Sequence, residues 1–136
     1  MKIQYYLNYK IMKLNKEQLV DFLSTATYGC DWLYCYTLKE EKHLDDGFNE
    51  YYLENRCREE KWADRLLAGG TLVCVDCEDC EKEYKLTLKD IENKFDKALY
   101  DKEVLFNLGN WLTDDYDYYD CNNLLQYIMF EEVVYG

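Results

Sequence analysis

Alternating apolar and polar side chains predict three or four β-strands in this chain, because a strand with one buried face repeats every two residues. The clearest case is "KIQYYLNYKIMKL", residues 2–14, and "DWLYCYTL", residues 31–38, alternates in the same way. Residues 71–77 begin with apolar side chains on both faces, which is typical of a covered central strand. The strand at 83–88 follows the polar "EDCEK", which has the length of a hairpin loop.

Helical signals occupy the segments between these strands. Asn15 is a predicted N-cap with Gln18 at the capping-box position, and a second helix with a polar break fills 47–70. Thr87 and Asp90 form another capping pair, a short helix begins near residue 104, and a helix from 121 closes the chain. The outline β-α-β-α-β-β-α-α predicts an α+β fold with a small mixed or antiparallel sheet of about three to four strands and helices packed on it. We expect a single domain over residues 1–136.

Charge is distributed unevenly along the chain. The 136 residues include 28 acidic and 16 basic side chains, a net charge of −12, and residues 41–136 alone contribute −13. An acidic surface repels nucleic acid and anionic membranes and attracts basic proteins. The alternative is that the charge only keeps the protein soluble.

Cysteine usage and apolar run lengths predict a cytoplasmic protein. Seven cysteines is an odd number, and their spacing does not suggest a secreted disulfide framework. No apolar run has the length of a signal peptide or of the ~20 residues that span a membrane.

Three cysteines, Cys74, Cys77 and Cys80, form a C-x-x-C-x-x-C motif. A structural zinc needs four converging ligands. If residues 71–77 form a strand, Cys74 and Cys77 point to opposite faces and cannot share an ion. We therefore expect no metal and no cofactor, and a zinc-binding adaptor built on these cysteines is the alternative function.

Catalytic signatures are lacking in the sequence. The single histidine, His43, has no accompanying nucleophile motif, and Asp45-Asp46 and Asp114-Asp115 lack the spacing of a calcium loop. We predict that the protein is not an enzyme. A small hydrolase or nuclease is a third class, and it would require carboxylates that converge in a concave site.

Clustered carboxylates are the strongest functional signal. The predicted hairpin contributes Asp76, Glu78, Asp79, Glu81 and Glu83. A predicted polar loop contributes Asp114, Asp115, Tyr116, Asp117, Tyr118, Tyr119 and Asp120. Acidic side chains about 6.6–6.8 Å apart on a strand or about 5–6 Å apart on a helix resemble the phosphates of a nucleic-acid strand. Tyrosines anchor protein interfaces and stack where bases stack. We predict that these twelve residues bind a basic partner, and the alternative is that they form solvated loops.

Two segments, "GGTLVCVDCEDCEKEYKLTL" and "NLLQYIMFEEVVYG", resemble an uncharacterised set of small acidic proteins of bacteriophages and mobile elements. The resemblance spans most of the chain from Leu14 onward. The size and charge of the chain are also similar to those of anti-CRISPR and anti-restriction inhibitors, several of which mimic DNA. This similarity implies a non-enzymatic inhibitor of a nucleic-acid-binding defence protein in the bacterial host, and it assigns no individual residue.

Overall fold

A computed structural model describes residues 12–136 of the chain. The predicted first strand falls almost entirely on residues 1–11 and so lies outside the described residues. Within residues 12–136 there are six α-helices, one 3-10 helix and three strands. In chain order these are α1 (Lys16–Thr27), β1 (Leu33–Thr37), the 3-10 helix (Lys39–Asp45), α2 (Glu50–Asn55), α3 (Arg58–Leu67), β2 (Leu72–Asp76), β3 (Lys82–Leu86), α4 (Leu88–Ala98), α5 (Leu105–Leu112) and α6 (Tyr118–Phe130).

The sheet is antiparallel, with strand order β1-β2-β3. Cys74 on β2 lies opposite Cys35 on one side and Tyr84 on the other. All five residues of β2 are buried, which confirms the predicted central strand covered on both faces. Val75 is buried although its neighbour on β1, Tyr34, is exposed.

Helix starts follow the predicted capping residues. The Asn15 side chain accepts a hydrogen bond from the Gln18 amide, and the Gln18 side chain accepts one from the Asn15 amide. The Thr87 hydroxyl makes the equivalent bond to the Asp90 amide at α4. These caps satisfy amides that have no partner inside the helix. Sequence therefore located both helix starts.

The core contains an aromatic triad from three helices, α1, α4 and α5. Phe22 packs edge-on against Phe95 and Trp111 at ring-centroid distances of 5.1 and 5.6 Å. Edge-to-face packing of this kind adds to the free energy of burying the rings. Other fully buried large side chains belong to the same core; they include Leu19, Leu23, Leu66, Leu72, Ile91, Leu108, Leu124 and Leu125.

The observed α+β fold agrees with the predicted class and roughly with the predicted order. The helix expected over 47–70 is divided into α2 and α3 at residues 56–57, inside the predicted polar break. The polar loop expected before the last helix is shorter than predicted, because Tyr118, Tyr119 and Asp120 form the first turn of α6. In the part of the chain described here, no helix has the length and apolarity needed to span a membrane.

Candidate functional site

An acidic groove lies between the β2–β3 hairpin and the C-terminal segment. It has a volume of about 750 Å³. Its charged lining is Asp76, Glu78, Asp79, Glu131, Glu132, Lys82 and Lys94. The five carboxylates outnumber the two lysines, so the groove is a local concentration of the negative charge that the sequence places in this half of the chain.

One wall of the groove is the tight turn that joins β2 to β3. Cys80 and Glu81 both have positive φ there, 52° and 56°. Asp76 shapes the start of the turn, because its Oδ1 accepts a hydrogen bond from the Glu78 amide at 3.1 Å. The side chains of Glu78 and Asp79 are exposed on this turn. The hairpin expected from the polar "EDCEK" is therefore present, and two of its acids face the groove.

The opposite wall is the segment after α6, whose backbone is held mainly by one buried side chain, Gln126, while Glu103 accepts the Val133 amide. Gln126 Oε1 accepts hydrogen bonds from the amides of Val134 and Tyr135, each at 2.7 Å, and Gln126 Nε2 donates to the Tyr135 carbonyl at 2.9 Å. Gln126 is fully buried. The carbonyl oxygen and the NH2 of its single side-chain amide thus fix the backbone that positions Glu132 and Tyr135 at the groove.

Four aromatic rings pack together beside the groove; they are Trp32, Tyr84, Phe130 and Tyr135. Tyr135 packs on Trp32 at 4.6 Å between ring centroids, and Phe130 packs edge-on against Tyr84 at 5.1 Å. The Tyr135 hydroxyl donates to Asp76, 2.8 Å from each carboxylate oxygen. Burial and this hydrogen bond raise the pKa of Tyr135 to about 12, so the phenol remains a donor at neutral pH.

Not every carboxylate of the groove is available to a partner. Asp76 is buried and already accepts the Tyr135 hydroxyl. Hydrogen bonding to Lys94, together with the charges of Lys94 and Lys97, lowers the pKa of Glu131, so it stays ionised and its negative charge is offset by the two lysines. No ion pair within residues 12–136 involves Glu78, Asp79 or Glu132. These three carboxylates are the free negative charge of the groove.

The twelve residues predicted to bind a partner divide between surface and interior. Asp76 and Asp120 are buried, which corrects the expectation that they are displayed. Asp120 accepts hydrogen bonds from Asn107 at 2.9 Å and Asn110 at 3.1 Å, and its role is structural. Half-buried members are Tyr116 and Tyr118. The exposed members are Glu78, Asp79, Glu81, Glu83, Asp114, Asp115, Asp117 and Tyr119.

The acids of the hairpin do not form the regular row that strand or helix spacing predicted. Glu78, Asp79 and Glu81 lie in the turn, where side chains do not alternate. Glu83 lies on β3, and its carboxylate accepts the Tyr36 hydroxyl at 2.7 Å. The alternating spacing expected along a strand therefore does not apply to the acids of the turn, of which Glu78 and Asp79 line a concave groove.

Tertiary folding brings both acidic segments to the same short stretch of chain. The Trp32 carbonyl accepts the Cys77 amide at 2.7 Å. Burial and a hydrogen bond with Cys30 raise the pKa of Tyr118 to about 12. Cys30 and Trp32 are two residues apart, so their Cα atoms are separated by at most about 7 Å. Both predicted segments consequently flank residues 30–32, with the exposed Asp31 between them.

The cysteine motif is dispersed by the fold. Cys74 is fully buried, with its Sγ 3.5 Å from Cys35 Sγ, while Cys77 and Cys80 are exposed on the turn. A hydrogen bond to Cys35 and burial raise the pKa of the Cys74 thiol well above its usual range. Across the described residues, no three His, Cys, Asp or Glu side chains are grouped to hold a metal ion.

Sequence reasoning missed the C-terminal wall of the groove. Glu132 and Tyr135 belong to "EEVVYG", where the adjacent glutamates at the end of an apolar helix were the available signal. Their position beside the hairpin depends on Gln126, and a lone glutamine in a helix has no sequence signature.

Comparison of the chain with protein-family models, with curated proteins and with solved structures finds no match.

Proposed function

We propose that this protein is a non-enzymatic acidic inhibitor that binds a basic, nucleic-acid-binding protein of a bacterial defence system. It acts in the bacterial cytoplasm, and it belongs with the anti-CRISPR or anti-restriction type of phage inhibitor. The observation that supports this function most is the acidic groove, in which Glu78, Asp79 and Glu132 form no ion pair with any residue in 12–136 and lie beside the half-buried rings of Tyr84, Phe130 and Tyr135. Such a surface is complementary to the Lys and Arg side chains of a nucleic-acid groove.

Competition with nucleic acid is the proposed mode of inhibition. Lys or Arg side chains of the partner enter the groove and pair with the free carboxylates, while the exposed Tyr119 and the Asp115 and Asp117 carboxylates extend the contact beyond Asp31. A partner surface engaged in this way is not available to phosphates. Charge complementarity, rather than regular phosphate-like spacing, is the basis of this mimicry.

Capture from bacterial lysates that contain different defence systems tests the proposal. The immobilised protein is compared with a groove variant, Glu78→Lys/Asp79→Lys/Glu132→Lys, over a salt series and with added DNA. The matched control is Glu40→Lys/Asp46→Lys/Glu54→Lys, which changes the net charge equally at exposed positions elsewhere.

We expect the wild type and the control to retain one nucleic-acid-binding protein, with retention falling as salt or DNA is added. The groove variant is expected to lose it. Equal loss in both variants would assign the effect to bulk charge and contradict the proposal, as would the absence of any nucleic-acid-binding protein on the wild type.

A further inference from the structure

A second concave site, opposite in charge to the acidic groove, lies between the 3-10 helix and the start of α3. It has a volume of about 460 Å³, within the roughly 300–1,000 Å³ typical of small-molecule sites. Six basic side chains and one carboxylate contribute to its lining. The basic residues are Lys39, Lys42, Arg56, Arg58, Lys61 and Arg65, and the carboxylate is Asp45. In a chain of net charge −12, this concentration of basic residues is unexpected.

The floor of this basic pocket is rigid and close to neutral. Arg65 and Arg56 both donate to Asp45, at 3.1 Å each, and both guanidinium groups are nearly inaccessible to solvent. Arg56 also donates to Asp64 at 2.8 Å. These pairs leave little charge for a ligand, but they fix the arginines, and fixed donors lose little conformational freedom when a ligand binds.

The rim supplies the free positive charge. Lys39, Lys42 and Lys61 are exposed, and none of them forms an ion pair with any residue in 12–136. Arg58 is partly engaged by Glu59 at 2.7 Å. Three unpaired ammonium groups around one concavity attract a multiply charged anion, despite the negative net charge of the molecule, because charges beyond about 8 Å are screened at physiological salt.

Two features of the lining point to an acceptor-rich ligand. The side chain of Arg56 is only 4% exposed, and its buried Nε–H has no hydrogen-bond acceptor among the described residues. Such orphaned buried donors are rare in folded proteins. In addition, the N-cap of the ten-residue α3, Cys57, and its first residue, Arg58, both line the pocket, so the positive end of the helix dipole lies at it. The capping box occupies the amides of Cys57 and Glu60, and the amides of Arg58 and Glu59 have no acceptor within the helix.

We propose that this basic pocket binds the phosphate groups of a small phosphorylated molecule. Phosphate oxygens accept from Lys42, Lys61 and the start of α3, and an attached organic group packs on Leu38 and Leu53, which form the apolar part of the lining. This site is separate from the acidic groove, and its occupancy does not depend on the proposed inhibitor function.

Isothermal titration calorimetry with inorganic pyrophosphate at low salt tests the pocket directly. The pocket variant is Lys42→Ala/Lys61→Ala, and the control is Lys85→Ala/Lys89→Ala, which removes the same charge from exposed positions on β3 and α4. All four lysines are exposed, so both variants are expected to fold. Circular dichroism verifies this.

We expect pyrophosphate to bind the wild type and the control with similar affinity, and to bind the pocket variant at least tenfold more weakly. ADP is expected to bind more tightly than pyrophosphate if the apolar lining contacts its organic part. Absence of pyrophosphate binding, equal weakening in the control, or binding at this pocket of a DNA oligonucleotide but not of pyrophosphate would each overturn the proposal.

Discussion

The guanidinium group of Arg65 holds the carboxylate of Asp45 at two points, Nε to Oδ1 at 3.1 Å and Nη2 to Oδ2 at 3.2 Å. Both side chains are buried. Burial alone would raise the pKa of Asp45, but hydrogen bonds and charges from Arg65 and Arg56 outweigh it and lower the pKa. The pair joins the end of the 3-10 helix to α3 and forms the floor of the basic pocket.

Replacing Asp45 with Asn is expected to lower the free energy of unfolding by about 3–5 kcal/mol, because two buried guanidinium groups lose their shared counter-charge. Urea denaturation followed by circular dichroism measures the change. Asp46→Asn, at an exposed neighbour, is the control and is expected to stay within about 0.5 kcal/mol of wild type. A similar small effect for Asp45→Asn would show that the ion pair contributes little net stability.

Replacement of Asp96 is expected to have the opposite effect on stability from replacement of Asp45. Burial raises the pKa of Asp96 above the usual 3.8 and outweighs a hydrogen bond from the Met12 backbone that lowers it, while the Glu92 carboxylate raises it further. The Oδ1 atom has no hydrogen-bond partner among the described residues. A carboxyl whose pKa is raised in the folded state favours folding at pH values below its unfolded pKa. That contribution is lost as pH rises through the folded pKa, so ionised Asp96 opposes folding at neutral pH.

Asp96→Asn is therefore expected to be more stable than the wild type at pH 7 and equal to it at pH 3. Urea midpoints of the two proteins at both pH values give the comparison. A variant that is less stable than the wild type at pH 7 would contradict the assignment of an unfavourable buried charge.

Asp120 and Asp115 are neighbours in the same acidic run, but the fold gives them different roles. Asp120→Ala removes the acceptor of the buried Asn107 side chain, of the half-buried Asn110 side chain and of the Asp117 amide at the start of α6. We expect a loss of about 3 kcal/mol of unfolding free energy, since hydrogen bonds to charged groups contribute roughly 1.5–3 kcal/mol each and are not additive. Asp115→Ala is the matched control with little expected change. Thermal or urea unfolding that ranks them equally would contradict this difference.

Gln126 positions the C-terminal wall of the acidic groove. Gln126→Leu preserves bulk but removes the acceptor of the Val134 and Tyr135 amides, and about 2–3 kcal/mol of stability is expected to be lost. Hydrogen exchange at these two amides is expected to accelerate strongly, and capture of the partner is expected to weaken. Asn93→Leu, at an exposed position on α4, is the control. Unchanged exchange at the two amides would show that Gln126 does not hold the segment.

Local patterns predicted most of the secondary structure because their causes are local. A capping side chain such as Asn15 accepts a hydrogen bond from an amide three residues away. The apolar run at β2 reflects the burial of side chains on both faces of one strand. Local patterns gave a wrong prediction for Tyr118 and Tyr119, which were expected in a loop. Their polar surroundings resemble a loop, but the Asp117 cap three residues before Asp120 starts a helix there.

Sequence by itself determined the fold class, the central strand, the hairpin and the concentration of acid in the last two-thirds of the chain, since each depends on neighbouring residues. Only the tertiary structure decided which acids are free. Asp76 and Asp120 are buried by contacts with Tyr135 and Asn107 from other elements, and Glu132 joins the hairpin acids through Gln126. The basic pocket likewise unites the 3-10 helix with α3. Charge along a chain is a local property, whereas its neutralisation and its grouping depend on which distant side chains the fold brings within hydrogen-bond distance.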